Sequence, residues 1–182
     1  LDWLLDSALG FDVQVEEVTT QIAALALQGP TSCSVLRALG LAGVENLRPF
    51  ELGVFAGPGF ELTVSRTGFT GDLGYELWVA PGDATRLWDA LAAVPRPRGV
   101  RPIGSRALNL ARIEAGFLAP NVDFVPAEHA LRVGRTRSPF ELGLDWLVDF
   151  SKGHFTGRRA LLAERRRGPR RRLVGLDIEG NK

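Results

Sequence analysis

Three glycines at a strict three-residue step mark the stretch of this chain most suited to binding a ligand. They are Gly68, Gly71 and Gly74 in SRTGFTGDLGYELWV, residues 65–79. Glycine reaches positive φ angles and lets a ligand approach the backbone closely. Glu76 follows, early in an apolar strand, where a partly desolvated carboxylate costs free energy unless it is paired. The residues alone favour a glycine turn that leads to a solvent-facing glutamate. The alternative is the wall of a binding site, which the glycine spacing supports because three glycines in seven residues exceed what a hairpin needs.

The strand after the third glycine predicts where these side chains point. Successive side chains of a strand alternate between the two faces of its sheet. Tyr75, Leu77 and Val79 therefore share one face, which we expect to be the core, and Glu76 and Trp78 share the other.

The remaining elements follow from apolar periodicity, caps and turn residues. Helices are predicted at 1–9, from Thr31 or Ser32 to Leu39, after an Asp83 cap, at 104–116 and at 156–168 with a Thr156 cap. Strands are predicted at 11–18, 22–30, in a hairpin at 49–66, at 75–79, within 141–150 and at 171–178, with a linker at 94–102. Paired strands mixed with helices favour an α+β fold, in which antiparallel sheets pack against helices.

Composition excludes several classes of protein. The 182 residues carry a net charge of +1, so no global field attracts nucleic acid or membrane surfaces. No apolar run is long enough to span a bilayer. The single cysteine, Cys33, excludes an internal disulfide and fits a reducing, cytoplasmic setting. Methionine is absent and the chain stops just after a predicted strand, so we expect a piece of a longer chain.

Five stretches, in order along the chain, carry a family resemblance. SRTGFTGDLGYEL resembles the hallmark segment of the glycine-cleavage T-protein family, the folate-dependent aminomethyltransferases. The other four, similar to further segments of that family, are ALALQGP (24–30), RIEAG (112–116), KGHFTGRRALL (152–162) and RRLVGLDIEG (171–180). The resemblance implies a T-protein-type folate-binding fold over 1–170, with a truncated C-terminal barrel domain beginning at 171–182. It also implies an enzyme that binds tetrahydrofolate and takes up a carbon from an aminomethyl or methyl donor.

The resemblance also assigns site residues. Glu76 corresponds to the glutamate that faces the pterin ring, whose amino group and ring N–H are two parallel donors for one carboxylate. Arg66, Phe69 and Tyr75 belong to the same cofactor-binding motif, with Phe69 in the usual place of a tyrosine. The catalytic aspartate of the family would lie upstream of Leu1. Missing domains of its own chain are therefore expected partners.

The helix at 104–116 departs from the family pattern. Aligned on its Glu-Ala-Gly, Leu108 occupies the position of an arginine that contributes to the folate site. Arg106 and Arg112 are the remaining candidates for cofactor contact, the alternative for Arg112 being a surface or interhelix ion pair with Glu114. The segment ALNLARIEAGF is similar to the relatives that demethylate N-, O- or S-methyl substrates.

Other polar residues receive weaker assignments. Asp123 matches an acidic residue of a loop near the family's active site and is assigned to the substrate. His129 and His154 are interpreted as surface or capping residues, and their spacing with Cys33 predicts no metal site.

Two other functions stay open. The first is a non-catalytic folate-binding factor related to iron–sulphur assembly proteins, against which His154 stands in place of that group's cysteine. The second is an arginine-rich nucleic-acid binder. Eight arginines fall within 158–172 without an aromatic residue among them, so we interpret them as a solvated helix end and expect no nucleic-acid partner.

Overall fold

A computed structural model describes residues 1–95, 99–176 and 180. The chain divides into two compact units, Leu1–Phe117 and Leu118–Lys182. The predicted α+β class is confirmed, because the first unit combines helices with an antiparallel sheet. The predicted start of a further domain at residue 171 stays a prediction.

The sheet of the first unit has four antiparallel strands in the order β1-β4-β3-β2. They are β1 (Ala23–Gln28), β2 (Leu52–Ala56), β3 (Glu61–Ser65) and β4 (Gly74–Val79). The hairpin predicted at 49–66 is confirmed as β2 and β3, and the strand after Gly74 is confirmed as β4. The two edges of the sheet are therefore β1 and β2.

One face of this sheet is the core. Tyr75, Leu77 and Val79 of β4 are buried there, as the alternation predicts, together with Leu62 and Val64 of β3. We call this the inner face. The opposite, outer face carries Glu76 and Trp78, both half-buried.

Two helices cover the inner face. They are α2 (Ser32–Ala38), which buries Val35 and Leu36, and α3 (Ala84–Ala92), which buries Leu87 and Leu91. Asp83 precedes α3 as predicted, but its carboxylate pairs with Arg86 at 2.6 Å instead of capping the helix N–H groups. The other helices of this unit are α1 (Asp2–Ala8) and α4 (Ser105–Glu114).

The second unit is built around α5 (Arg158–Arg167) and short 3-10 turns. Phe150 lies between Phe140 and Phe155, with ring centroids 6.5 and 6.1 Å away. Glu164, the one acid of α5, is buried and accepts a hydrogen bond from the Ser138 hydroxyl at 2.7 Å. Gly157, with φ +90°, precedes α5, so the predicted Thr156 cap is wrong by one residue.

Three predicted strands do not form in the described residues. Residues 11–18 alternate cleanly but lie unpaired, with Phe11 70% and Val13 61% exposed, because no neighbouring strand bonds to them. Within 141–150, Gly143 takes φ +72° and a 3-10 turn forms at Asp145–Leu147. Residues 171–176 form no strand, while 177–179, and 96–98 of the predicted linker, lie outside the described residues.

Candidate functional site

Glu76 stands in the middle of the outer face of the sheet. It pairs with Ala26 of β1 on one side and Ser65 of β3 on the other. Its side chain is half-buried, and within the described residues the carboxylate accepts no hydrogen bond and forms no ion pair. A partly desolvated carboxylate without a protein donor is an acceptor that a ligand can satisfy.

The glycine motif folds around the side chain of Gln28. The Gln28 amide donates to the carbonyl oxygen of Tyr75 at 3.3 Å and accepts from the Thr70 hydroxyl at 3.4 Å. A Cβ on Gly68 or on Gly74 would collide with that amide. These two glycines therefore make room for a side chain of the protein itself.

Gly71 has a different reason to be glycine. Its φ is +77°, and a Cβ there would lie 2.5 Å from the Cβ of Ala115, just after α4. Both the left-handed backbone and the close approach require glycine. The three glycines therefore let the motif pack closely against Gln28 of β1 and against Ala115 at the end of α4.

Phe69 forms an aromatic wall at the tip of this motif. Its ring stacks on Phe117, with centroids 5.4 Å apart and planes 9° from parallel. Arg112 supports that stack by donating to the Phe117 carbonyl oxygen and to Asn109 Oδ1, both at 2.9 Å. Arg112 is only 2% exposed, so the surface position considered for it is wrong.

Arg66 and Tyr75 lie away from the outer face. Arg66 donates to the Leu47 carbonyl oxygen at 2.8 Å. Tyr75 is 2% exposed on the inner face, where burial, and next a hydrogen bond with Cys33, raise the pKa of its phenol to about 12. A ligand that reaches Glu76 approaches the opposite face of the sheet from Tyr75.

Arg106 and Leu108 lie in the first half of α4. Arg106 is exposed to solvent. Leu108 lines a cavity of about 490 Å³ that runs along the edge strand β1. The residue that the sequence resemblance aligns with the family's arginine is therefore part of an apolar cavity wall.

The sequence-predicted residues of the second unit lie in its first loop. Asp123 accepts a hydrogen bond from the Ala119 N–H at 2.7 Å, which closes the turn at the start of the loop. His129 Nδ1 lies 2.8 Å from Asn121 Oδ1, and Asn121 holds a φ of +64°. In the described residues no group of three or more His, Cys, Asp or Glu side chains is placed to hold a metal ion.

The net charge is distributed unequally between the two units, mainly because most arginines near the end of the chain belong to the second. Residues 118–182 contain thirteen basic and eight acidic residues, so the net charge of +1 hides +5 on the second unit and −4 on the first. The guanidinium of Arg165 lies 5.3 Å from the centroid of the Phe150 ring. The sequence run itself holds no aromatic residue, and only the fold brings one beneath it.

Two residues of this site were missed from the sequence. Gln28 appears in the ALALQGP segment, but nothing in its spacing links it to glycines forty residues later. Phe117 follows Glu-Ala-Gly directly, so its position beside the motif could have been inferred from that segment.

No helix in the described part of the chain is long and apolar enough to cross a membrane.

The first unit is thus an α+β unit that carries a half-buried glutamate on the outer face of its sheet and a stacked aromatic pair at its glycine motif. The sequence profile of the GCVT N-terminal domain matches residues 1–152. The chain therefore belongs to this family, the T-protein family that its motifs resemble.

Individual relatives support the same family. Aminomethyltransferases of Halothermothrix orenii and Thermotoga maritima are 34% and 33% identical to this chain over 179 and 181 residues, which is 98% and 100% of it. The solved glycine cleavage system aminomethyltransferase T from Bartonella henselae superposes with a TM-score of 0.71 at 29% identity, covering 92% of this chain and 42% of that one. The chain spans 47% of the length of both aminomethyltransferases, about half.

Proposed function

We propose that this chain supplies the pterin-binding part of a tetrahydrofolate-dependent aminomethyltransferase. Glu76 would accept two hydrogen bonds from the amino group and the ring N–H of the pterin. The observation that carries the proposal is the Glu76 carboxylate, half-buried and without a hydrogen bond or ion pair in the described part of the chain. Charge-assisted bidentate pairs of this kind are short and strong.

The aromatic stack of the glycine motif fits the same ligand. Phe69 is partly exposed and rests on Phe117, so it offers an aromatic surface to a flat heterocycle. In this proposal Arg112 is a positioning residue, because it holds the Phe117 carbonyl oxygen. Arg66 and Tyr75 contribute to the sheet behind the proposed site. We propose no contact between the pterin and Arg106 or Asp123.

The reaction proposed for the whole protein is transfer of one carbon. Tetrahydrofolate supplies the nitrogen that takes up that carbon. The role of the described residues is binding and orientation, which by themselves account for much of catalysis between two reactants. We assign the proton transfer to a carboxylate outside this chain, and we propose that further segments of the full protein complete the folate site.

The donor is proposed to be an aminomethyl compound. The relatives named above are aminomethyltransferases, and this outweighs the resemblance of α4 to demethylating enzymes. Because an aminomethyl carbon leaves its nitrogen behind, ammonia release would distinguish this donor from a methyl donor. The single cysteine fits our proposal that the protein works in the cytoplasm.

Titration with tetrahydrofolate tests the proposal. We expect Glu76→Ala to weaken binding by about 10- to 100-fold, since a hydrogen bond to a charged group contributes about 1.5–3 kcal/mol. Glu61→Ala is the matched control, because Glu61 is an exposed glutamate of β3 on the same face. It should leave the affinity unchanged.

The outcomes separate two failures. Equal affinity of the full-length protein and its Glu76→Ala variant would reject the pterin contact. Absence of binding to the full-length protein would reject folate binding.

A further inference from the structure

A pair of hydroxyl groups lies beside Glu76 on the outer face of the sheet. Ser65 of β3 is directly opposite Glu76, and its Oγ lies 2.6 Å from Oγ1 of Thr67. Residues directly opposite each other hold their Cβ atoms about 4.5–5.5 Å apart. Ala26, the neighbour of Glu76 on the other side, has only a methyl group. Of the two residues that flank Glu76 across the strands, Ser65 is therefore the polar one.

This hydroxyl pair has one hydrogen-bond donor left over. Each hydroxyl has one O–H donor and two acceptor lone pairs. The contact between the two oxygens uses one of the two protons, and among the described residues neither side chain makes another hydrogen bond. A donor that is removed from water costs free energy until an acceptor meets it. The pair thus offers one donor next to the acceptor oxygens of Glu76.

The Ser65 hydroxyl lies low on the outer face. Its short side chain stands between Leu52 of β2 and Glu76 of β4, and Ser65 is only 5% exposed. A ligand seated on Glu76 would cover the part of the hydroxyl that remains exposed. A hydrogen bond made there would be shielded from water, where hydrogen bonds are electrostatically stronger.

The glycine motif fixes the position of the second hydroxyl. The Gln28 amide, for which the first and third glycines of the motif make room, donates to the carbonyl oxygens of Thr67 at 3.5 Å and Tyr75 at 3.3 Å. One side chain of β1 therefore holds both Thr67 and the start of β4. The packing of the motif thus sets where the hydroxyl pair lies relative to Glu76.

A carboxylate beside a hydroxyl donor matches one particular edge of a heterocycle. On a pterin, the amino group and the ring N–H assigned to Glu76 are followed by a ring carbonyl. The edge is therefore donor, donor and acceptor in order. Glu76 has acceptors for the first two groups, and the hydroxyl pair has a donor for the third. A heterocycle without that carbonyl would leave the hydroxyl donor unsatisfied.

We propose that Ser65 is a specificity-determining residue whose hydroxyl donates to the ring carbonyl oxygen of the heterocycle bound by Glu76. Thr67 is a positioning residue, because its hydroxyl donates to Ser65 Oγ and so directs the Ser65 proton to the ligand. The heterocycle then binds with its carbonyl toward β3 and its amino group toward β1. The inference rests on the proposed function, since it needs a pterin at Glu76.

Binding of tetrahydrofolate to the full-length protein tests this contact by two measurements. The first is the affinity, titrated in the absence of oxygen. The second is the infrared stretching band of the ring carbonyl, which carbon-13 at that carbon distinguishes from all other carbonyl bands. A hydrogen bond to a carbonyl lowers its stretching frequency. A purely structural role of Ser65 would leave the band of the bound ligand unchanged.

Three variants should change these measurements in a graded way. Ser65→Ala should weaken binding about 3- to 10-fold and move the carbonyl band to higher frequency, since one neutral hydrogen bond is lost. Thr67→Val should act in the same direction but less, because Ser65 keeps its own proton. Thr67→Ser retains the hydroxyl and should match the unaltered protein in both measurements.

Thr63→Val is the matched control. It removes a hydroxyl from the same strand and the same face, opposite Trp78 instead of Glu76. Affinity and carbonyl band should both stay as they are in the unaltered protein. Thermal unfolding establishes that each variant is folded.

The outcomes separate this contact from the proposed function. An unchanged carbonyl band in a folded Ser65→Ala variant that binds tetrahydrofolate would overturn the contact, and so would an equal loss of affinity in Thr63→Val. In either case weaker binding by Glu76→Ala would leave the proposed function standing. Absence of binding to the unaltered full-length protein would instead reject the proposed function, and this inference with it.

Discussion

The two faces of the four-stranded sheet differ in the burial and polarity of their side chains. On the inner face Tyr75 and Leu77 are buried against α2 and α3. On the outer face Glu76, their neighbour in sequence, is half-buried and has no hydrogen-bond or ion-pair partner in the described part of the chain. Through the alternation of its side chains, one strand therefore separates the residues of the core from the carboxylate that we propose binds the pterin.

The glycine motif positions the strand that carries both sets of side chains. The motif precedes β4, and its glycines fasten it to Gln28 and Ala115. Gly74, the last of them, is also the first residue of β4. The motif that leads into β4 is thus held in place by Gln28 of β1 and by the end of α4.

The largest expected effect is the loss of a buried side chain from the inner face. Leu77→Ala should lower the free energy of unfolding by about 3–4 kcal/mol, since Leu77 is fully buried and leaves a cavity. Val54→Ala, at an exposed position of the outer face, should change it by less than about 0.5 kcal/mol. Urea unfolding measures both, and similar losses would contradict the contrast between the faces.

The second effect concerns pH. The phenol of Tyr75 keeps its proton up to a pKa of about 12 in the folded chain, against 10.0 for an ordinary tyrosine. Between these values the unfolded chain binds fewer protons, so stability falls as pH rises. The full loss is about 2–3 kcal/mol.

The single tyrosine makes this pH effect directly measurable, since phenolate absorbance reports Tyr75 alone. Tyr75→Phe should remove the part of the pH dependence that lies above pH 10. A native titration midpoint near 10 would show that the phenol is not desolvated as the structure indicates.

The third effect tests the fastening of the motif. Gly74→Ala should destabilise the chain by about 1–3 kcal/mol, because the new Cβ overlaps the Gln28 amide. Combining it with Gln28→Ala should cost less than the sum of the two single changes, since the overlap is removed. Strictly additive unfolding free energies in this double-mutant cycle would rule out the packing account.

The smallest expected effect belongs to Glu76 itself. Glu76→Gln should change the free energy of unfolding by less than about 0.5 kcal/mol, since the carboxylate has no hydrogen-bond or ion-pair partner in the described structure to lose. A larger loss in urea unfolding would show that Glu76 stabilises the fold and would remove the distinction between the faces.

Prediction from the sequence succeeded where a pattern is local. The hairpin of β2 and β3 and the alternation of β4 follow from side-chain periodicity and glycine turns. It was wrong at residues 11–18, which alternate equally well but have no neighbouring strand among the residues that the structure describes. A strand forms only when a partner supplies the other half of its hydrogen bonds, and alternation says nothing about the partner.

The sequence by itself determined the family and the face on which Glu76 lies, because a motif and a period of two are both read along one chain. Only the tertiary structure decided that Gln28 fills the space beside two glycines and that Phe69 stacks on Phe117. It also decided that Leu108 lines an apolar cavity at the edge of β1. These are contacts between residues far apart in sequence, and packing in three dimensions selects them.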